Sequence, residues 1–553
     1  MTIFKSTFPP LPTPDRPFSY ALLDALWMHR ERTAVIDAET KRSATFQDLF
    51  LQSFSVATYL EKQHFHHGDV VCTVMHNSLE NFPIFLGTAL QGGALSGASF
   101  AFTEYELQYQ FKDCKAKIVF CNELYLFKVL KAAQQCPSVQ LIIVIPEDPE
   151  NPKTYQFGVT SMTDVLNCQP NFYSRKVDVD IHRDIVTMPY SSGTTGAPKG
   201  VMLSHTNLAA EVNLLAYHLE QLIMQQIDSS YKAKEDTDVI YLPIYHMYGF
   251  CLFMRNMLCG VTTVLMAKFD IELMCKIVQE HKVRCLKVVP PVLVLLSKHP
   301  IVKKVDLSSI QAMLSAAAPA GKELCDAVMK RIPSVKLIGQ GYGLTETTAA
   351  THLCHYEKTP KIGSAGKLCS GLEMKILDLQ TRKPLGYNET GEVCVKGNVV
   401  MIGYLNRPQA TAETIDDDGW LRTGDVGYVD KNENLFIVDR LKELIKVKGL
   451  QVAPAEIEDL LHTHPGVQDV AVIGVADEAC GEIPMAFVVK RKANLKEQDV
   501  INFVKDRLSH YKQLKGGVQF IKEVPRSMSG KILRRFLRDE AELLKMAKNQ
   551  AKI

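Results

Sequence analysis

Short apolar runs alternate with helical patterns through most of the chain. Residues 116–121 form an apolar, β-rich run, residues 124–135 (LYLFKVLKAAQQ) show apolar positions at helical spacing, and residues 141–145 are apolar again. This order predicts a strand, a helix and a second strand, the unit from which parallel sheets covered by helices are built. Similar β-rich runs follow at 238–242, 261–267 and 336–339. The pattern therefore predicts a layered α/β architecture.

The pattern changes near residue 440. Before it come glycine-rich turns, such as the one predicted at 422–425 (RTGD). After it, Pro454 is placed to open a helix with Ile457, Leu460 and Leu461 on one face. The remaining pattern predicts strands at 470–475 and 485–489, a helix at 499–508 and a last strand near 518–521.

Two domains follow from this change of pattern. We predict a large N-terminal α/β domain with several layered sheets over residues 1–440 and a small, mobile α+β domain over residues 441–553. The boundary falls at 439–442, where the sequence has none of the composition of a loose linker, so any relative motion is expected to be a hinge.

Composition narrows the classes of function. Apolar residues make up 46% of the chain and charged residues 22%, which is typical of globular proteins. A net charge of +2 argues against a dedicated nucleic-acid binder, so a small-molecule partner is expected. The 14 cysteines include no C-x-x-C pair, which argues against a zinc cluster or redox dithiol.

The uncharged stretch 81–103 is too rich in Gly, Ser, Thr and Gln for a transmembrane segment and is expected to form buried helix and loop. The proline-rich N-terminus lacks the apolar core of a secretory signal.

A loop rich in glycine and hydroxyl groups, SSGTTGAPKG at 191–200, directly follows the apolar run 185–190. Backbone N–H groups in such a loop can surround an anion, while hydroxyls and the Lys199 ammonium complete the cage. A Walker A loop is excluded, because Pro198 stands where that motif needs its second glycine. The loop therefore predicts a nucleotide-phosphate site outside the P-loop class, and a flexible surface loop is the alternative.

Seven further motifs follow in order. They are YLPIYHMYG (241–249), SAAAPAGKEL (315–324), GQGYGLTETT (339–348), GYLNRPQATAET (403–414), DGWLRTGDVGYVD (418–430), DRLKELIKVKGLQVAPAEIE (439–458) and PRSMSGKILRR (525–535). Over nearly the whole chain they closely resemble the adenylate-forming superfamily, in the branch of 4-coumarate:CoA ligases, beetle-luciferase-like enzymes and acyl-CoA synthetases. The resemblance implies a carboxylic acid:CoA ligase that uses ATP, Mg²⁺ and coenzyme A. The acid first attacks the α-phosphate of ATP to give acyl-AMP, and the thiol of coenzyme A then displaces AMP.

The resemblance also implies the ATP site. It assigns the β and γ phosphates to the 191–200 loop, through Ser191, Ser192, Gly193, Thr194, Thr195, Gly196 and Lys199. It assigns the rest of the nucleotide to Gln340, Gly341, Tyr342, Gly343, Thr345, Asp425, Arg440 and Lys531. In this assignment Tyr342 stacks on adenine, Asp425 and Arg440 bind the ribose, Thr345 binds the α-phosphate and Glu346 is the Mg²⁺ ligand. A helix-capping Glu346 and a core Tyr342 are the structural alternatives.

Two roles of the small domain are implied by the same resemblance. Lys531 bridges the acid and the α-phosphate in the first step, although a lysine in a basic tail is more often a solvated charge. The domain then turns about Lys442 and presents a second face for thioester formation, made by Lys446, Gly449 and Gln451. Lys446 taken alone is more often a surface charge. The implied catalytic residues are Lys531, His246, Lys199, Thr345 and Glu346.

The implied acyl pocket is lined by His246, Tyr248, Ala317, Gly341, Ala349, Ala350 and Thr351. Tyr245 and Tyr248 suit an aromatic, coumarate-like acid, and the small residues equally suit a medium- or long-chain fatty acid. An amino acid is disfavoured, since no acidic residue follows Tyr241 in the motif 241–249, where amino-acid-activating relatives keep an aspartate. Ala316 replaces the glycine usual in Ser-Gly-Ala-Ala, which is expected to narrow the pocket slightly.

Three further expectations complete the prediction. A luciferase-like oxygenase acting on its own acyl-adenylate and a non-catalytic adenylate-binding protein are the alternative functions. The intact set of Lys199, Glu346, Asp425, Arg440 and Lys531 argues against the second. The final tripeptide 551–553 (AKI) has the small-basic-aliphatic form of a peroxisomal targeting signal. The peroxisomal import receptor is therefore a candidate partner. The peroxisome is the expected location, and the cytoplasm is the alternative.

Overall fold

The computed structural model describes residues 2–12, 15–148, 153–155, 158–172, 177–191, 198–316, 321–357, 361, 363–447, 450–477, 480–526 and 530–550. The chain forms a large N-terminal domain of mixed α/β layers and a small C-terminal domain. Both were predicted from the change in pattern near residue 440.

The largest sheet of the N-terminal domain contains the predicted strand–helix–strand unit. Strands Ile118–Asn122 and Leu141–Ile145 pair in parallel on either side of helix Leu126–Ala133. The sheet runs in the order Tyr190–Ser191, Lys199–Ser204, Ile185–Thr187, Ala94–Ala98, Val70–Val74, Ile118–Asn122, Leu141–Ile145 and Val159–Ser161, with Gly403–Tyr404 paired to Lys199–Ser204. The stretch 81–103 supplies the buried helix Asn81–Leu90, but the part expected as loop contains strand Ala94–Ala98. That part of the prediction was wrong because residues 94–98 pair in parallel with strand Val70–Val74, and the glycine at 97 is needed only where the strand packs against Tyr245.

Two smaller parallel cores contain the other predicted strands. One sheet has the order Thr237–Ile240, Thr262–Leu265, Thr33–Asp37 and Ser43–Thr45. The other has the order Cys285–Val288, Ala312–Ser315, Leu337–Tyr342, His352–Leu353 and Lys367–Leu368, with the first three strands parallel. Within each sheet the carboxyl ends of the parallel strands lie at the same edge, which is where α/β proteins place their ligands.

An all-antiparallel sheet, which the sequence pattern did not predict, follows in the chain. Its order is Phe4–Lys5, Glu373–Leu377, Gly391–Lys396, Leu421–Val429 and Leu435–Arg440. Residues 422–425, predicted as a turn, lie inside strand Leu421–Val429. Gly424 has φ +70° there, and the register with the neighbouring strand shifts, as in a β-bulge. The glycine signal was real, but it marks a bulge that precedes Asp425 in the strand.

Helices cover the sheets, and one of them is central to the site. Helix Met247–Cys259, called the central helix below, has ten buried residues and packs Phe250 and Phe253 edge-on against Phe85 and Phe82. It ends at Gly260, whose φ of +68° is the left-handed conformation that commonly closes a helix. The other helices of the N-terminal domain are Phe18–Met28, Phe46–Lys62, Asn81–Leu90, Glu104–Asp113, Leu126–Ala133, Met162–Leu166, His205–Tyr217, Gln225–Ile227, Ile271–His281, Pro290–Lys298, Lys322–Arg331 and Pro408–Thr414.

The C-terminal domain has its own core. The predicted elements are present as helix Pro454–His462, strands Val467–Asp477 and Gly481–Lys490, helix Glu497–Lys505 and strand Gly517–Ile521. Strands Ile445–Val447 and Leu450–Val452 extend this sheet, and helix Arg534–Gln550 covers it. Within the described part of the chain, no helix is both long and apolar enough to cross a membrane.

Candidate active site

A buried carboxylate lies where the antiparallel sheet meets the GQGYG segment. Asp425 and Arg440 are paired positions on adjacent strands, and Arg440 Nε lies 3.3 Å from Asp425 Oδ1. The Tyr342 hydroxyl donates a hydrogen bond of 2.7 Å to Asp425 Oδ2. Burial raises the pKa of Asp425, and the Arg440 charge opposes that rise. The three residues predicted to hold adenosine are therefore in direct contact, and the Tyr342–Asp425 bond is an addition that the sequence did not predict.

The second part of the site surrounds Glu346. Glu346 lies in the short 3₁₀ turn Thr345–Thr347, and its Oε1 accepts hydrogen bonds from Ser191 Oγ (2.8 Å) and from the Tyr404 hydroxyl (2.9 Å). Lys199 Nζ lies 4.7 Å from the centroid of the Tyr404 ring. Lys199 and Ser191 of the hydroxyl-rich loop are thus near the predicted metal ligand. Because its carboxylate binds two distant hydroxyls, Glu346 is not the helix cap that was the alternative.

Tyr404 is a site residue that the sequence analysis missed. It belongs to the quoted motif 403–414, to which no role was assigned. Strand Gly403–Tyr404 pairs with Lys199–Ser204, and this pairing brings the Tyr404 ring beside Lys199. The sequence signal that could have identified Tyr404 is its place in the motif 403–414.

The turn that carries these residues has no room for larger side chains. A Cβ added to Gly343 would lie 1.5 Å from the carbonyl oxygen of Ala349, and one added to Gly341 would lie 2.8 Å from Leu353 Cδ2. Gln340 precedes them in strand Leu337–Tyr342, and its carbonyl accepts a hydrogen bond from Cys354 N. The glycines therefore allow the backbone of this turn to pack closely against residues 349 and 353.

Lys531 reaches this cleft from the C-terminal domain. The preceding residue, Gly530, has φ +83°, and a Cβ there would lie 3.4 Å from Pro291 Cδ at the start of helix Pro290–Lys298. Burial, reinforced by Arg440, lowers the pKa of Lys531 to about 8, although Asp425 and Glu346 act in the opposite direction. One lysine therefore lies within electrostatic reach of both parts of the site.

His246 precedes the central helix and completes this group. Its Nδ1 accepts a hydrogen bond of 3.3 Å from the backbone N–H of Tyr248. Burial, with the charge of Lys531 as a smaller cause, lowers the pKa of His246 to about 4. The ring is neutral at pH 7, and because Nδ1 accepts, its proton is on Nε2.

The predicted acyl pocket surrounds the same position. The Tyr248 hydroxyl donates to the carbonyl of Leu314 at 3.2 Å. The facing wall is the segment 349–351, where the backbone N–H of Thr351 donates to the carbonyl of Tyr342 at 2.8 Å. Ala349, Ala350 and Thr351 thus lie next to Tyr342, one of the residues predicted to hold adenosine.

Glu211 supports this wall and was also missed. It is a fully buried residue of helix His205–Tyr217, and its Oε1 accepts a hydrogen bond of 2.8 Å from the backbone N–H of Ala350. Burial raises the pKa of Glu211 to about 8, so the side chain is mostly protonated at pH 7. The sequence signal was a single acidic residue within the largely apolar stretch 208–215.

The residues predicted for the thioester step lie on the C-terminal domain. Lys446 is exposed and pairs in register with Gln451, and its backbone N–H donates to Glu482 Oε2 at 2.8 Å. Lys442 is exposed at the predicted hinge. In this arrangement Lys531 occupies the cleft and Lys446 does not. The predicted residues Ser192, Gly193, Thr194, Thr195, Gly196, Ala317 and Gly449, as well as the tripeptide 551–553, lie outside the described residues.

The donor set around Glu346 fits Mg²⁺ bound together with a nucleotide. In the described ranges no group of three or more His, Cys, Asp or Glu side chains is arranged to hold an ion. Mg²⁺ commonly uses one or two carboxylates together with substrate phosphates and water. A single carboxylate beside Ser191, Tyr404 and Lys199 matches that mode.

Comparison with known proteins agrees with the geometry. The family of AMP-binding enzymes matches residues 25–405, and the AMP-binding enzyme C-terminal domain matches residues 456–531. The chain is 38% identical to 4-coumarate–CoA ligase 2 of Petroselinum crispum and 37% identical to 4-coumarate-CoA ligase 1 of Narcissus pseudonarcissus; each match covers 97% of this chain and 96% of the relative.

Solved structures share the fold. ATP-bound MatB from Rhodopseudomonas palustris is 26% identical, with a TM-score of 0.84 over 95% of this chain and 99% of MatB. The anthranilate CoA ligase AuaEII in complex with anthranoyl-AMP has a TM-score of 0.85 over 97% of this chain and 99% of its own, and at 23% identity it supports the fold alone. The chain therefore belongs to the adenylate-forming superfamily of AMP-binding enzymes, in the branch of the 4-coumarate–CoA ligases, and is an AMP-forming acid–thiol ligase.

Proposed function

We propose that this ligase activates an aromatic, coumarate-like acid or a medium- or long-chain fatty acid in the cleft between Glu346, Asp425 and Lys531. The observation that supports this proposal most directly is the position of Lys531. This residue of the C-terminal domain has a pKa that is affected by Arg440, Asp425 and Glu346. A cation at this point is placed to offset the repulsion between the attacking carboxylate and the α-phosphate, which lowers the barrier of adenylate formation.

The nucleotide is proposed to bind as the resemblance implies. Asp425 accepts the ribose hydroxyls with Arg440 beside it, and the Tyr342 ring stacks on adenine while its hydroxyl fixes the Asp425 carboxylate. Lys199 and Thr345 bind phosphate oxygens. Glu346 would hold Mg²⁺, which when bound would neutralise charge on the phosphates.

The acid is proposed to enter beside His246. Its carboxylate accepts a hydrogen bond from Nε2–H, because Nδ1 is already occupied by the backbone of Tyr248. Tyr248, Gly341, Ala349, Ala350 and Thr351 line the remainder of the pocket. Several relatives are named 4-coumarate–CoA ligases, which favours an aromatic acid.

The second step is proposed to follow a rotation of the C-terminal domain about Lys442. Lys531 leaves the cleft, and the face with Lys446, Gly449 and Gln451 replaces it, so that the thiol of coenzyme A reaches the acyl carbonyl. The exposed position of Lys446 in the present arrangement supports two alternative faces.

A substrate panel tests the proposal. Purified enzyme is offered ATP, Mg²⁺ and coenzyme A with cinnamic, benzoic and short- to long-chain fatty acids, and both AMP release and acyl-CoA are measured by mass spectrometry. We expect AMP and thioester in equal amounts for at least one of these acids, and neither product from Lys531→Ala. Absence of both products with every acid would contradict the proposal.

Peroxisomal import stays a prediction carried by residues 551–553 alone. It is tested in cells by fusing a fluorescent protein to the N-terminus of the full chain, with and without that tripeptide. Peroxisomal fluorescence that depends on the tripeptide is expected, and a diffuse signal from both fusions would contradict the prediction.

A further inference from the structure

The motif 403–414 contains a second residue, Arg407, whose contacts lead to the hydroxyl-rich loop 191–200. Nη2 of Arg407 donates one hydrogen bond to Asp113 Oδ1 at 3.1 Å and another to the Tyr109 hydroxyl oxygen at 3.3 Å. The side chain of Asp113 is 10% exposed and that of Arg407 is 39% exposed. A guanidinium that binds a largely buried carboxylate and a second acceptor is held in one geometry, unlike the partners of a fully exposed ion pair.

Tyr109 and Asp113, the two acceptors of this guanidinium, bind opposite ends of the loop. They lie one turn apart on helix Glu104–Asp113, so their side chains leave the same face of the helix. The Tyr109 hydroxyl donates to the carbonyl oxygen of Pro198 at 3.0 Å. The Tyr190 hydroxyl donates to Asp113 Oδ2 at 2.8 Å. The chain is therefore bonded to one helix face both where it enters the loop and where it leaves it.

These two ends carry the residues that face the predicted metal ligand. Tyr190 directly precedes Ser191, whose Oγ donates to Glu346 Oε1 at 2.8 Å, and Pro198 directly precedes Lys199. Ser191 and Lys199 are paired positions on adjacent strands. A shift of either end therefore moves Ser191 and Lys199 relative to Glu346.

The segment 405–407 follows the same arm of the loop. The backbone N–H of Leu405 donates to the carbonyl of Gly200 at 2.8 Å, and Asn406 Nδ2 donates to the carbonyl of Asp113 at 3.2 Å. Nη1 of Arg407 donates to the carbonyl of Asn406 at 3.1 Å, so both Nη groups bind oxygens of the protein itself. Arg407 is thus placed to act on the loop through Asp113 and Tyr109.

We propose that Arg407 is a positioning residue of the phosphate-binding loop: together with Asp113 and Tyr109 it fixes the two ends of the loop and so raises the affinity of the enzyme for the β and γ phosphates of ATP. The inference rests on the proposed function, which assigns these phosphates to the loop. A loop whose ends are fixed in advance loses less conformational entropy when it binds its ligand. AMP has neither phosphate, so its affinity is independent of Arg407.

Equilibrium binding tests this difference between ATP and AMP. The Kd of ATP in the presence of Mg²⁺ and the Kd of AMP are measured by titration calorimetry, without acid or coenzyme A, so that no turnover occurs. In Arg407→Met the Kd of ATP is expected to rise about threefold to tenfold, because hydrogen bonds that hold the loop are lost, while the Kd of AMP stays unchanged. A Kd does not depend on the fraction of protein that is folded, so a partly unfolded variant remains informative.

Further variants assign the effect to the contacts of the loop. Arg407→Lys keeps the charge beside Asp113 and is expected to show a smaller rise in the Kd of ATP. Tyr109→Phe removes the hydrogen bond to Pro198 and is expected to raise the Kd of ATP as well, which tests the same link if Arg407→Met does not fold. In the double variant the rise is expected to be smaller than the product of the two single effects, since both residues act through one network.

A matched arginine elsewhere in the chain is the control. Nη2 of Arg42 lies 3.0 Å from Glu80 Oε1, and its side chain is 43% exposed while that of Glu80 is 6% exposed. This pair resembles Arg407 and Asp113 in exposure and distance, but it has no hydrogen bond to the loop. Arg42→Met is expected to leave the Kd of both nucleotides unchanged.

The outcomes distinguish this inference from the proposed function. An unchanged Kd of ATP in Arg407→Met and Tyr109→Phe overturns the role of Arg407, and so does an equal rise in the Kd of ATP and of AMP. In either case a wild type that binds both nucleotides leaves the proposed nucleotide site standing. If the wild type binds neither ATP nor AMP, the proposed nucleotide site itself fails and the inference fails with it.

Discussion

Replacing Glu211 by glutamine tests the account of the pocket wall. The carboxyl of Glu211 is fully buried and accepts the backbone N–H of Ala350. A glutamine has nearly the same shape and keeps a carbonyl oxygen for that hydrogen bond, but it has no proton to lose. The variant therefore removes the titration of this site and keeps its main contact.

The magnitude follows from the pKa of Glu211, which burial raises from 4.5 to about 8. Between these two values the folded protein holds a proton at Glu211 and the unfolded chain does not, so the free energy of unfolding falls as the pH rises from about 4.5 to about 8 and is level above that. At about 1.4 kcal/mol for each pKa unit, the change amounts to at most about 5 kcal/mol. Relaxation around the ionised group reduces this, and we expect about 3 to 5 kcal/mol.

Thermal unfolding from pH 5 to pH 8 measures the effect. The Tm of Glu211→Gln relative to wild type is expected to rise by several degrees across this range, because only the wild type is destabilised. Glu61→Gln, at an exposed position of helix Phe46–Lys62, is the control and is expected to follow the wild type. If the Tm of wild type and of Glu211→Gln changes with pH in parallel, the pKa of Glu211 is not raised by burial and the reasoning is refuted.

Three further predictions concern the cleft. Tyr404→Phe removes the 2.9 Å hydrogen bond to Glu346 and is expected to slow adenylate formation about fivefold to tenfold at limiting MgATP. An unchanged rate would show that this hydrogen bond does not position Glu346. Lys531, with a pKa of about 8, is about half neutral at pH 8. An amine-directed reagent is therefore expected to label it at least about tenfold faster than a lysine with an ordinary pKa, and ATP is expected to protect it. Labelling at the ordinary rate, measured by peptide mapping, would contradict this prediction. Gly343→Ala places a Cβ 1.5 Å from the carbonyl oxygen of Ala349 and is expected to lower the Tm and abolish adenylate formation. The control is Gly321→Ala, which has open space around its Cβ and is expected to keep the wild-type Tm and activity. Equal behaviour of the two variants would contradict the close contact between Gly343 and Ala349.

The sequence predicted the parts of this molecule that depend on local pattern. The strand–helix–strand unit around Leu126–Ala133 follows from apolar runs that are buried in a parallel sheet. The residues predicted to bind the nucleotide follow from motifs, and the structure brings four of them together, Tyr342, Asp425, Arg440 and Lys531.

Contacts between distant segments were the part that the sequence did not predict. Tyr404 and Glu346 are 58 residues apart, and Ala350 and Glu211 are 139 residues apart. These pairs meet because strands Gly403–Tyr404 and Lys199–Ser204 join one sheet and because helix His205–Tyr217 packs behind the wall. No local periodicity carries that information, and the bulge before Asp425 was mistaken for a turn for the same reason.

The central claim is that one lysine, carried by the C-terminal domain, acts in the first step and leaves the cleft for the second. Lys531→Ala separates the two steps, with adenylate formation measured by pyrophosphate exchange and thioester formation measured from chemically prepared acyl-AMP and coenzyme A. We expect the variant to lose nearly all exchange and to keep most of the thioester reaction. Equal loss of both reactions would contradict the claim.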